Sequence, residues 1–123
     1  MIVTKTTGLA RFYYATRYSI KGLCAAYRSE PAFRYELWAA ALLLPQVFWL
    51  ARSGLQLGLL VSTLLLVLTM ELINTAIEAV VDRAGTEFNT LAGLAKDLGS
   101  AAVLLTLLIT VLVWGGIAWD NFS

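Results

Sequence analysis

The chain has no histidine, a single cysteine (Cys24) and little charge, with Asp, Glu, Lys and Arg making up 14% of its 123 residues. Each shortage excludes something. Without histidine there is no Ser-His-Asp triad, no imidazole general base and no zinc site built on imidazole. One cysteine excludes a disulfide framework. Nine Lys+Arg against eight Asp+Glu leave a net charge of +1, so no basic field argues for nucleic acid. Neither G-x-x-x-x-G-K-[ST] nor G-x-G-x-x-G occurs, which removes both usual phosphate-cradling loops. What remains is apolar. Hydrophobic residues reach 59% and mean hydropathy is +0.76. A soluble domain this small keeps too much area exposed to hide that composition, and the same numbers exclude disorder. The expected class is an all-α integral membrane protein forming a single domain.

Three uncharged stretches follow one another: Leu37 to Ala51, Ser53 to Met70 and Leu98 to Trp119. At 1.5 Å per residue they measure roughly 23, 27 and 33 Å against a hydrocarbon core of ~30 Å. The first is short and holds Pro45, so it must borrow Phe33 and Tyr35 and let Arg34 and Arg52 snorkel. Transmembrane helices are expected over about 32–51, 55–84 and 90–120. No cleavable signal is expected, because the first apolar run starts late and no A-x-A-like site follows a basic start. Lys5, Arg11, Arg17, Lys21, Arg28 and Arg34 precede the first span, and Arg83 and Lys96 flank the second connection. Only Arg52 lies on the other side. That asymmetry predicts a cytosolic N-terminus and an outside C-terminus.

Ahead of the first span, Leu9, Phe12, Tyr13, Thr16, Ile20, Leu23, Cys24 and Tyr27 recur at helical spacing, with Arg11, Arg17, Tyr18, Lys21 and Arg28 opposite. This predicts a basic amphipathic helix over about 8–28, lying in the cytosolic interface. An electrostatic anchor to anionic lipid would by itself account for it. Ser29-Glu30-Pro31 should end it and start the next helix, with Ser29 as a cap and Pro31 in the first turn.

Glu71, Asn74, Glu78, Lys96 and Asp97 are the polar residues hardest to dismiss. Glu71, Asn74, Glu78 and Asp82 fall within an arc of roughly 80° on one helix face. Counted from Leu55, Glu71 lies about 24 Å along, inside the hydrocarbon but near its cytosolic edge. Lys96 and Asp97 enter the last span at the same interface and Ser100, about a turn deeper, lies level with Glu71, among small residues that let helices approach closely: Ala92, Gly93, Ala95, Gly99, Ala101 and Ala102. Burying Glu71 is costly, which favours a function. Glu78 and Asp97 could be solvated helix ends, Lys96 a topology charge, Asn74 interhelical glue and Glu30 an acid favoured by the helix dipole. Carboxylates at this depth can hold Mg²⁺, lysine can neutralise phosphate, and a partly desolvated carboxylate can take a proton from a lipid hydroxyl. Phosphoryl transfer asks for little more than this.

The run from Glu71 to Arg83, E-x-x-N-x-x-x-E-x-x-x-D-R, followed by A-K-D-x-x-S-A from Ala95, resembles the prokaryotic diacylglycerol kinase family. The resemblance extends back through Tyr18-Ser-Ile-Lys-Gly-Leu23 and Glu30-Pro-Ala-Phe-Arg34 and covers essentially the whole chain. It implies a homotrimer in the inner (cytoplasmic) membrane, with active sites shared between subunits, making phosphatidic acid from diacylglycerol and ATP. By motif match, Glu71 would be the general base, and Glu30 and Glu78 would hold Mg²⁺. Arg11, Tyr18, Glu30, Asn74, Glu78, Glu87, Phe88, Asn89, Lys96 and Asp97 would bind ATP. Glu71, Ser100, Trp114 and, on or beside the surface helix, Ala15, Ser19, Ile20 and Arg34 would face the lipid substrate. Tyr14 stands in place of a lysine, Pro31 of an alanine and Phe88-Asn89 of a Tyr-His pair.

An undecaprenol kinase of the same fold is the near alternative. A small proton-coupled transporter using Glu71 is the alternative of another class, and it predicts the acid near the midplane rather than at one rim. A purely structural anchor leaves Glu71 and Asn74 unexplained.

Overall fold

The structure, a computed structural model, describes residues 8–83 and 90–123. It contains four helices and, among the described residues, no strand: α1 (Leu9–Ser29), α2 (Pro31–Leu50), α3 (Gly54–Arg83) and α4 (Thr90–Phe122). These bounds fall within two residues of those expected. Glu87, Phe88 and Asn89 lie outside the described residues.

The breaks are local. Glu30 adopts an extended conformation between α1 and α2, and Pro31 takes the first helical position of α2, where its missing N–H costs nothing. The cap differs from expectation. Ser29 is the last residue of α1 and donates its hydroxyl to Ala25 O at 2.8 Å, so Glu30 occupies the capping position with no side-chain capping bond. Arg34 closes the other half of the joint. Its Nη1 donates to the carbonyls of Tyr27 (2.7 Å) and Arg28 (3.0 Å), satisfying acceptors that a helix C-terminus leaves free. At the α2–α3 turn, Ser53 Oγ accepts from Gln56 N at 3.1 Å and Gln56 Oε1 accepts from Arg52 N at 2.9 Å, close to a reciprocal capping box.

α3 and α4 form the principal pair, with α2 packed on α3. Near the α2–α3 turn a core of Val47, Leu50, Leu60, Leu64 and Ile117 closes the bundle. Asn121 pins it, donating to Leu50 O and to Gln56 Oε1, both at 2.8 Å, while Gln56 Nε2 donates back to Asn121 Oδ1 at 3.3 Å. Trp49 stacks on Phe122, over which Arg52 also sits.

α3 and α4 are long and apolar enough to cross a membrane. α2 carries Arg34 and Glu36 in its first turns and falls short on composition. The apolar stripe of α1 stays exposed, with Leu9 at 87% and Phe12 at 71%.

Candidate functional site

The far end of the bundle, away from the α2–α3 turn, gathers the carboxylates. Glu71 and Asn74 point inward from α3 and are each only 8% exposed. Both lie on the face of α3 turned toward its neighbours, with Glu78 two helical turns beyond Glu71 and half-buried. Asn74 Nδ2 donates to Glu78 Oε1 at 3.0 Å, while its Oδ1 is buried without a partner among the described residues. From α2, Glu36 brings its carboxyl within hydrogen-bonding reach of Glu71, and its Oε2 is likewise buried and unpartnered. Glu30 and Glu78 are near enough for Glu71 to feel their charge. Lys96, from the first turns of α4, pairs with Asp82 at 2.6 Å across an exposed edge.

The balance of charge is one-sided. Glu30, Glu36, Glu71 and Glu78 converge, while Lys96 is held by Asp82 and Arg34 by the end of α1. Such a set accepts hydrogen bonds but cannot supply them. It calls for a proton, a cation or a donor-bearing ligand. Among the described residues no group of three or more His, Cys, Asp or Glu stands ready to enclose a metal ion. Mg²⁺ does not need one, since it retains waters and binds through one or two carboxylates together with substrate phosphates. The all-oxygen donors of Glu30 and Glu78 fit that ion.

The other expected residues are more dispersed. Arg11, Ala15, Tyr18, Ser19 and Ile20 are exposed along α1. Arg11 and Tyr18 lie about 28 Å and 18 Å along the chain axis from Glu30. Ser19 lines a groove of about 510 Å³ between α1 and α3, opposite Thr75, Ala76 and Ala79. Asp97 and Ser100 are exposed; Asp97 lies about 160° around α4 from the buried Gly99. Trp114 sits about 21 Å along α4 from Ser100. There its Nε1 donates to Thr63 Oγ1 at 2.9 Å, and Thr63 in turn donates to Leu60 O at 2.7 Å.

Glu36 is not among the residues that spacing singles out: it immediately precedes the first uncharged stretch. A signal was present. Counted outward from the α2–α3 turn, Glu36 is about 23 Å down α2 and Glu71 about 26 Å down α3, so two antiparallel neighbours bring them level. Asp82 was placed on the right face but not recognised as the partner of Lys96.

The family description Prokaryotic diacylglycerol kinase matches residues 17–118. The diacylglycerol kinase of Haemophilus influenzae is 48% identical over 113 residues, which is 92% of this chain and 96% of that protein. That of Escherichia coli K12 is 44% identical over 122 residues, 99% and 100% of the two chains. The diacylglycerol kinase of Pseudomonas aeruginosa is 42% identical over 111 residues, 90% of each.

Proposed function

Because the chain belongs to the prokaryotic diacylglycerol kinase family, and is thus a membrane kinase acting on an alcohol group, we propose that it transfers the γ-phosphoryl group of ATP to the free hydroxyl of diacylglycerol at the cytosolic face. The observation that carries this reading is the buried Glu71, on one face of α3 with Asn74 and Glu78 at the bundle end where the basic residues of α1 also lie.

Glu71 is the general base. Its carboxylate takes the proton of the lipid hydroxyl as that oxygen bonds to the γ-phosphorus and the bond to the β-bridging oxygen breaks, releasing ADP and phosphatidic acid. Burial suits the task, because a carboxylate shielded from water can meet a hydroxyl that stays at the lipid interface. Glu30 and Glu78 would hold Mg²⁺, which when bound with ATP would neutralise phosphate charge. Asn74 orients Glu78 through its 3.0 Å hydrogen bond. Lys96 turns from Asp82 to the phosphates, and Arg11, Tyr18, Asp97 and residues 87–89 complete the nucleotide site. Ala15, Ser19, Ile20 and Arg34 receive the lipid near its headgroup, and Ser100 and Trp114 face it from α4, Trp114 deeper along the acyl chains.

Two further features belong to this reading. The exposure of Arg11, Tyr18, Asp97 and Ser100 in a single chain supports a homotrimer in which neighbours complete each site. The short apolar stretch of α2, packed on α3, supports a third span, with the N-terminus cytosolic and the C-terminus outside the inner membrane.

The test is ³²P transfer from γ-labelled ATP in detergent–lipid micelles with Mg²⁺, offering diacylglycerol and undecaprenol side by side. Label in phosphatidic acid supports the reading. Label in the polyprenol alone moves the substrate to the other alcohol, and label in neither overturns it.

A further inference from the structure

Gly99 stands apart from the other described glycines. A Cβ built there would collide with the Asn74 amide oxygen and lie 3.3 Å from Asn74 Cγ and 3.6 Å from Ile77 Cδ1, whereas at every other described glycine nothing lies within 4 Å. Glycine inside a helix is unfavourable relative to alanine, and Gly99 is buried well inside α4. The close approach of α4 to α3 at Asn74 gives it a reason.

What that approach constrains is one amide. Asn74 Nδ2 donates to Glu78 Oε1, and the opposite side of the amide, Oδ1, rests against Gly99. Turned over, the amide would set an acceptor against the Glu78 carboxylate, which is repulsive. Only one orientation is workable, and the bare backbone at Gly99 is the wall behind it. Asn74 is buried, so it cannot yield to an added methyl group by swinging into solvent. Either the amide turns or α4 withdraws, and both draw Nδ2 away from Glu78.

We propose that Gly99 is a positioning residue: its missing side chain seats the Asn74 amide, and the seated amide holds Glu78 in the orientation that binds Mg-ATP. This rests on the reading of Glu78 as a metal carboxylate. Partners one bond removed from a metal ligand typically change affinity 10–100-fold when disturbed.

The experiment measures the Kd of Mg²⁺ with β,γ-methylene-ATP by isothermal titration calorimetry in detergent micelles, together with KM for Mg-ATP and kcat. Gly99→Ala should raise Kd and KM about tenfold while kcat at saturating Mg-ATP stays within about twofold. Gly93→Ala, near the same end of α4 but with nothing within 4 Å, should leave both unchanged. In an Asn74→Ala background, Gly99→Ala should add no further rise, since the group it displaces is gone. A fully additive rise would make Gly99 a packing residue only, and an unchanged Kd in Gly99→Ala would remove the seat altogether. Should Gly99→Ala fail to fold, the Asn74→Ala/Gly99→Ala variant has room for the methyl group and should regain the wild-type Tm; a double variant that also fails overturns the proposal. If Asn74→Ala and Glu78→Gln themselves leave Kd unchanged, the metal reading of Glu78 falls and the seat's consequence falls with it. A raised Kd in those two with an unchanged Kd in Gly99→Ala removes the seat alone.

Discussion

Replacing Glu71 with glutamine removes the proposed base while keeping its volume, and the surroundings set how large the loss should be. Glu71 is 8% exposed, so water does not readily substitute for it, and general-base catalysis contributes about 10²–10⁴ in rate. Glu36 lies within hydrogen-bonding reach and can accept the same proton from a slightly displaced position. We therefore expect Glu71→Gln to fall at the lower end, about 10²-fold in kcat, or ~2.7 kcal/mol of barrier. Glu36→Gln/Glu71→Gln, with no carboxylate left at that point, should approach the upper end, about 10⁴-fold. KM for Mg-ATP should stay within about twofold in both, because the Asn74–Glu78 hydrogen bond is untouched and only transition-state stabilisation is lost. The assay is initial-rate phosphate transfer to diacylglycerol in mixed micelles, with Mg-ATP varied at saturating lipid. A double variant retaining kcat within about threefold of wild type would refute the general-base role. A KM for Mg-ATP rising in step with the fall in kcat would make Glu71 a nucleotide ligand instead.

Two further outcomes are expected away from the chemistry. Asn121→Ala removes three hydrogen bonds joining the ends of α2, α3 and α4; at about 0.6 kcal/mol each in a membrane protein this is ~2 kcal/mol. The unfolding equilibrium in SDS-containing mixed micelles should shift about 30-fold while kcat is unchanged, and a shift under about twofold would mean that the cluster is solvated rather than structural. Topology can be read by thiol labelling: in a Cys24→Ser background, Ser123→Cys should react with a membrane-impermeant maleimide in intact cells and Thr90→Cys should not. The opposite pattern would reverse the orientation drawn from the Lys/Arg distribution.

The helices were legible because their ends are written locally. Pro31 can only begin α2, and Ser53 with Gln56 starts α3 by side-chain capping, so the bounds follow from residues within a turn of each break. The polar face of α3 was legible for a similar reason, since 100° per residue sets Glu71, Asn74 and Glu78 on one side whatever the neighbours are. What spacing cannot supply is the register between helices. That register pairs Glu36 with Glu71, Lys96 with Asp82 and Trp114 with Thr63. Gly99 shows the limit most clearly. In the sequence it is one of six small residues near the start of α4, and only the height at which α4 meets Asn74 distinguishes it from Gly93.

The same limit bears on the site as a whole. One chain brings Glu36 beside Glu71, with Glu78 and Glu30 near enough for Glu71 to feel their charge, all on α2, α3 and the joint before α2. It leaves Asp97, Ser100 and Arg11 exposed on other faces. Carboxylates near enough to feel one another's charge repel and gain stability from cations. On the proposed reading a nucleotide brings its own metal to them, while its phosphates seek donors, and at this end Lys96 and Arg34 are already engaged, by Asp82 and by the end of α1. Arginine and lysine from a neighbouring surface helix would supply those donors. On that reading the division of labour follows from charge: the buried Glu71 and its half-buried neighbours Glu30, Glu36 and Glu78 belong to one bundle, and the cations that complement them would come from another copy.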